Sequence, residues 1–148
     1  MSNIVWKMKG PSTGLLREPK MFVMSRRSSC LWWVTEEEAG GGRNEALVFS
    51  GIEAYKCTYF LAYSVELPSA TYDTLNDLGP TPFLAEICTK LKERTNVSEL
   101  KHFAISFDDG PLFEFIARSF EFQSPFDVSV IESDVQQRIA SCVHPLAR

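Results

Sequence analysis

The residues best equipped for chemistry gather in one stretch, Leu100 to Phe122, LKHFAISFDDGPLFEFIARSFEF. Asp108, Asp109 and Glu114 set three carboxylates near a single turn, and His102 and Arg118 stand on the runs that flank it. Carboxylates at a turn bind divalent cations, and a carboxylate beside an imidazole moves protons. The spacing favours neither. Asp and Gly are ordinary turn formers, and the evenly spaced oxygen ligands of a calcium loop are missing. Glu114 interrupts an apolar run, as a half-exposed residue on the solvated face of a strand would. His102 on that face reads as a surface residue, and His144, the only other histidine, lies beside Pro145. If Glu114 instead proves buried in a cleft and bonded to His102 or Arg118, acid–base chemistry moves ahead. No GxSxG, HExxH or phosphate-loop pattern occurs, and Gly40-Gly41-Gly42 is not set between strand and helix as a phosphate cradle must be.

Cys30, Cys57, Cys88 and Cys142 are widely spaced, with no CxxC and no histidine at metal-ligand distance. Reduced thiols are expected, without metal or cofactor, in a reducing cytosol. Trp32 and Trp33 are neighbours, so a strand points them to opposite faces and a one-sided core takes only one. The other needs cover from a helix, from the N-terminal lead-in or from a partner, cover within the chain being the simpler reading. Tryptophan is also a frequent interface anchor. Candidate ligand or partner contacts are therefore Trp32, Trp33, His102, Asp108, Asp109, Glu114 and Arg118.

The elements that must position these residues follow from alternation and punctuation. Two alternating apolar runs around Asp-Asp-Gly-Pro declare an antiparallel hairpin. Pro111 has no N–H to close a two-residue turn, so a longer loop is needed. Setting Phe107 opposite Phe113 and Ile105 opposite Phe115 makes one face wholly apolar and directs it at the helices, while Glu114 and His102 take the reverse face. KMFVMSR and CLWWVT form an earlier hairpin, EEEAGGGRN an exposed loop, Glu45 to Phe49 a strand, and IEAYKCTYFLAY the longest strand. Leu67, Tyr72, Leu75 and Leu78 suit a short helix stopped at Gly79-Pro80. Thr81 caps a second helix with Pro82 at its first position and a stripe of Phe83, Leu84, Ile87, Cys88 and Leu91. FDVSVI reads as a strand and Ser133 to Gln136 as the capping box of a last helix. The expected fold is α+β: one antiparallel sheet of about five to seven strands with two central helices and a C-terminal helix packed on it.

At 148 residues with 45% hydrophobic and 23% charged side chains, the chain suits a single domain over residues 1–148. Residues 1–19 form an irregular lead-in that includes a short strand, and 123–148 a C-terminal strand and helix. No apolar run reaches the roughly 18 residues of a spanning helix, and a net charge of -4 gives no global pull toward nucleic acid or anionic lipid. Lys20, Arg26 and Arg27 gather near the first hairpin, but the aromatic pattern of RNA-binding sheets is absent. The basic N-terminal composition is no transit peptide, because Gly10-Pro11, Gly14 and Pro19 break any amphipathic helix, and no secretory signal is evident.

The segments GLLREPKMFVM, LWWVT, LVFSGIEAYKCTYF and HFAISFDDGPLFEFIARSFEF together resemble a group of small bacterial proteins that share a VF-G-EAFKCTY-like segment and an FDDGP-YEF-like hairpin. The resemblance spans about Gly14 to Phe122, implies a bacterial single-domain protein, and brings no functional residues with it. The expected function is a small cytosolic interaction domain, immunity-type or regulatory, with a protein partner or a second copy as its occupant. The alternative is a ligand binder or enzyme using Glu114, His102 and Arg118 on one face of the sheet.

Overall fold

The computed structural model describes residues 3–59, 72–108 and 110–143. Nine strands run through it: β1 (Asn3–Lys7), β2 (Arg17–Met24), β3 (Ser28–Glu36), β4 (Gly42–Ser50), β5 (Ala54–Thr58), β6 (Thr74–Asp77), β7 (Lys101–Ser106), β8 (Leu112–Ala117) and β9 (Ser119–Gln123). They form two antiparallel sheets, one of five strands in the order β1-β6-β7-β8-β5 and one of four in the order β2-β3-β4-β9. The described helices are α1 (Pro82–Leu91) and α2 (Ser129–Val143), with a 3-10 turn at Ser12–Gly14.

This overturns the single α+β sheet with two central helices. The aromatic face of the β7–β8 hairpin packs on the second sheet, not on helices. Leu31, Trp33, Leu47 and Phe49 from the four-stranded sheet share one core with Leu75, Phe103, Ile105, Phe107, Phe113 and Phe115 from the five-stranded sheet. Phe49 stacks on Phe115 with ring centroids 4.0 Å apart. The reason lies in the strands' second faces, which are also largely apolar: Cys30, Trp32, Ala46 and Val48 form a further cluster with Phe126, Val128 and Ile131 around the start of α2. A strand apolar on both faces must be covered twice, and two sheets with a helix outside each achieve this.

Two strands pass from sheet to sheet at one corner. β4 leaves the four-stranded sheet at Ser50 and continues as β5, while β8 leaves the five-stranded sheet at Ala117 and continues as β9. The Arg118 amide bonds the Ser50 carbonyl at 3.0 Å. Gly51 has φ +65°, and a Cβ there would sit 2.8 Å from Arg118 Cδ, so the corner needs both the left-handed backbone and the missing side chain.

The hairpin keeps its expected faces but not its expected partners. Ile105 pairs with Phe113 and Phe103 with Phe115, two residues from the anticipated register. Such a slip preserves which side chains share a face. The loop is indeed longer than two residues: Gly110 N–H bonds the Phe107 carbonyl at 3.0 Å, and the ladder resumes at Leu112. Phe107 thus lies beyond the ladder yet still packs edge-on against Phe113, 6.1 Å away.

Four further expectations change, the first being that IEAYKCTYFLAY gives only β5 over Ala54–Thr58, shorter than the nine residues each of β3 and β4, with 60–63 outside the described residues. Residues 74–77 are strand β6 rather than helix; Leu75 enters the inter-sheet core, Leu78 the opposite face, and Asp77 Oδ1 accepts the Gly79 amide at 3.0 Å in a tight turn. Leu67 lies outside the described residues. FDVSVI is no strand, because Asp127 Oδ1 accepts the Ser129 amide at 3.0 Å and starts α2 there, ahead of the expected capping box. The polar EEEAGGG stretch extends β3 to Glu36 and turns over residues 37–41, with Gly40 and Gly41 both at φ +86°. Helix α1 begins as expected, with Thr81 Oγ1 accepting the Leu84 amide at 3.1 Å, though its apolar stripe is half-buried rather than fully buried.

If the two sheets form one core, Phe115→Ala should cost about 3–5 kcal/mol in urea denaturation with an unchanged slope. A loss under about 1 kcal/mol would contradict the stacked arrangement.

Candidate functional site

Buried polarity is concentrated on one surface. Among the described residues the buried polar ones are Ser29, Thr74, Asn76, His102, Ser106 and Glu114, and all but Ser29 lie on the outer face of β6, β7 and β8. Strand alternation sends Leu75, Phe103, Ile105, Phe113 and Phe115 inward, so their neighbours face outward, toward the side that α1 covers. One row across the sheet reads Asn76, Ala104, Glu114, Lys56. Asn76 Nδ2 donates to the carbonyl and the hydroxyl of Thr74 at 3.2 and 3.3 Å, whereas Ser106 Oγ, fully buried, has no bonded partner.

At the centre is a three-residue relay. Thr81 Oγ1 lies 2.6 Å from His102 Nδ1, and His102 Nε2 lies 2.9 Å from Glu114 Oε1. His102 is 2% exposed and Glu114 6%, so the expected surface histidine and half-exposed glutamate are both buried, because this face of the hairpin is covered as well. The observed register explains the meeting, since Glu114 stands opposite Ala104 and His102 is its diagonal neighbour on the same face. Phe83 from α1 sets its ring at 82° to the imidazole, and Lys56 Nζ lies 4.0 Å from the other partner of that contact, the Phe83 ring centre.

Hydrogen-bond accounting assigns the tautomer. An ionised carboxylate can only accept, so the Glu114 contact makes Nε2 the donor, and a neutral ring then offers Nδ1 as acceptor for the Thr81 hydroxyl proton while Oγ1 also accepts the Leu84 amide. Nδ1 is then the acceptor, and Nε2–H donates to the Glu114 carboxylate. These bonds tie the first turn of α1 to the middle of the sheet.

The other anticipated residues lie elsewhere. Arg118 does not join His102 and Glu114; its Nη2 bonds Thr95 Oγ1 at 2.7 Å and the Asn96 carbonyl at 3.1 Å, bracing the corner against the segment after α1. The Asp108 amide bonds Ser12 Oγ at 3.1 Å while its carboxylate side is exposed, and Asp109 falls outside the described residues. Trp33 is wholly buried between the sheets and gives its indole N–H to Glu45 Oε1 at 3.2 Å. Trp32 packs on Phe22 in the cluster with Phe126, Val128 and Ile131 and bonds Asn44 Oδ1 at 3.0 Å, so its cover comes from within the chain. Cys30, Cys57 and Cys88 are free thiols; burial pushes that of Cys30 up to about 12, partly offset by its hydrogen bond to the Phe22 backbone. The side chain of Cys142 is not described. No group of three or more His, Cys, Asp or Glu among the described residues is placed to hold a metal.

A second feature had no sequence signal as a site. The residues read as a polar loop form one wall of a groove of about 590 Å³, opposite Met8 to Leu15 of the lead-in. Glu36, Glu37, Glu38 and Glu45 line it, with Lys9 and Arg43 as the cations. Glu37 is paired with Arg43 at 3.2 Å, and Glu45 accepts from Trp33 and Ser124. Glu36 and Glu38 are exposed and have no bonded partner among the described residues. A smaller hollow of about 370 Å³ lies between Val23, Met24, Ile52 and Tyr55, and neither cavity touches the relay. Only the lead-in, 20 to 30 residues away in sequence, turns the glutamates into a wall, so their spacing alone was silent.

Set against protein-family models, curated proteins and solved structures, the chain has no match. No helix among the described residues is long and apolar enough to cross a membrane.

The relay makes an ordered prediction for stability. Thr81→Ala removes both the helix cap and the donor to Nδ1 and should cost about 1–2 kcal/mol, whereas Thr81→Ser should cost well under that. Glu114→Ala strands the buried Nε2–H and should cost about 1–3 kcal/mol, with a smaller loss for Glu114→Gln, which keeps a carbonyl acceptor. Equal melting points for Glu114→Ala and wild type would show that the pair carries no load.

Proposed function

We propose that the chain is a small binding domain, of the regulatory or neutralising kind, that takes a cationic segment of a protein partner in the groove beside the β3–β4 hairpin, within a reducing cytoplasm. The supporting observation is the groove itself. Its volume of about 590 Å³ is that of a site for a few side chains, and two of its four glutamates are uncommitted. Among the described residues only Lys9 stands in the groove as an unpaired cation against those two glutamates, which leaves the wall net negative, and Met8, Pro11 and Leu15 add apolar surface for the stem of a lysine or arginine. The overall charge of -4 adds a weak attraction of the same sign.

Calorimetric titration with an oligo-arginine peptide tests this reading, with oligo-glutamate as the control. Binding is expected for the first and not the second, weakening about tenfold when Glu36→Gln and Glu38→Gln are combined and again when salt is raised. Oligo-arginine binding that ignores both glutamates, or no binding at low salt, would overturn it.

A further inference from the structure

We propose that Thr81 is a nucleophilic hydroxyl, activated by His102 and oriented through Glu114, that accepts an acyl group from an activated ester. This inference is independent of the groove. Hydroxyl, imidazole and carboxylate stand in the order nucleophile, base and orienter, at 2.6 and 2.9 Å. Their burial is graded in the useful direction: Thr81 is half-exposed, while the base and carboxylate behind it are buried. An approaching ester meets the hydroxyl before it meets the histidine. The tautomer assigned above leaves Nδ1 unprotonated and aimed at Oγ1, as a general base must be.

The local backbone supplies the other requirement. Thr81 immediately precedes α1, whose first position is Pro82, so the next amides, those of Phe83 and Leu84, belong to the first turn and have no carbonyl acceptor within the helix. Leu84 N–H is committed to Oγ1 at 3.1 Å, so the Phe83 amide is the donor left to face the attacked carbonyl. Amides at a helix start stabilise an oxyanion, here the one that forms on the attacked carbonyl. Lys56, above the Phe83 ring, adds positive charge on the same side.

The step balances. Oγ1 bonds to the carbonyl carbon as its proton passes to His102 Nδ1, and the imidazolium is held by the Glu114 carboxylate through Nε2–H. The tetrahedral intermediate collapses by breaking the bond to the leaving oxygen, which takes the proton from Nδ1. Ester and hydroxyl have become acyl-threonine and alcohol, and water repeats the sequence to release the acid. His102 and Thr81 are the catalytic residues in this scheme and Glu114 a positioning residue.

The probe is p-nitrophenyl acetate, with nitrophenol release followed by absorbance and the adduct located by mass spectrometry of the hydroxylamine-treated and untreated protein. Thr81→Asn keeps a good helix cap without the nucleophile, so its melting temperature reports that the fold survives. Wild type and Thr81→Ser should carry a hydroxylamine-labile acetyl on residue 81. Thr81→Asn should lose it, and His102→Gln should slow its formation by roughly a hundredfold or more. Acetyl found only on lysines or the N-terminus of wild type, or nitrophenol release by Thr81→Asn at the wild-type rate, would overturn the proposal.

Discussion

Everything distinctive in this molecule depends on the double covering of β7 and β8. From His102 to Phe107 and from Leu112 to Ala117 every residue is buried, because the second sheet covers one face and the outer face is closed over as well. A charged side chain on such a strand cannot turn to water and has to find its partner inside the protein, since an unpaired buried charge is costly. Glu114 therefore fixes His102, and His102 fixes Thr81. The chain of bonds in turn decides where α1 starts, because the same hydroxyl caps the helix and serves the imidazole.

The corner at Gly51 and Arg118 makes that covering possible. By carrying β4 into β5 and β8 into β9, it lets one bent ribbon belong to both sheets, so the stack of Phe49 on Phe115 is held by neighbouring covalent connections as well as by packing. The two candidate sites then fall on different parts of the sandwich. The relay belongs to the outer face of the five-stranded sheet, and the glutamate groove to the hairpin tip of the four-stranded sheet. A substitution in one is not in contact with the other, so their tests separate cleanly.

Side-chain alternation made the faces legible in the sequence: Phe103, Ile105, Phe107, Phe113 and Phe115 fall on one side of the hairpin, His102 and Glu114 on the other. Thr81 and Pro82 marked the helix start for the same local reason that the structure shows. What alternation does not carry is the nature of the cover. CLWWV and ALVF are apolar at consecutive positions, the mark of a strand buried on both faces, and the tryptophan pair says that the residue outside the core needs cover without saying what supplies it. The strand at Thr74 to Asp77 was hidden because Leu75 and Leu78 have helical spacing while facing opposite sides. The meeting of Thr81 with His102 spans 21 positions and depends on how a helix docks on a sheet, which no local pattern encodes.

The most direct test of the relay is the protonation state of one ring. A long-range proton–nitrogen correlation spectrum of the imidazole-labelled protein at neutral pH distinguishes the two nitrogens of His102. The hydrogen-bond order described above predicts a protonated Nε2, slow to exchange with solvent because it is buried against Glu114, and an unprotonated Nδ1 facing Thr81. A protonated Nδ1 with a bare Nε2, or a ring whose protons exchange as fast as those of an exposed histidine, would contradict it.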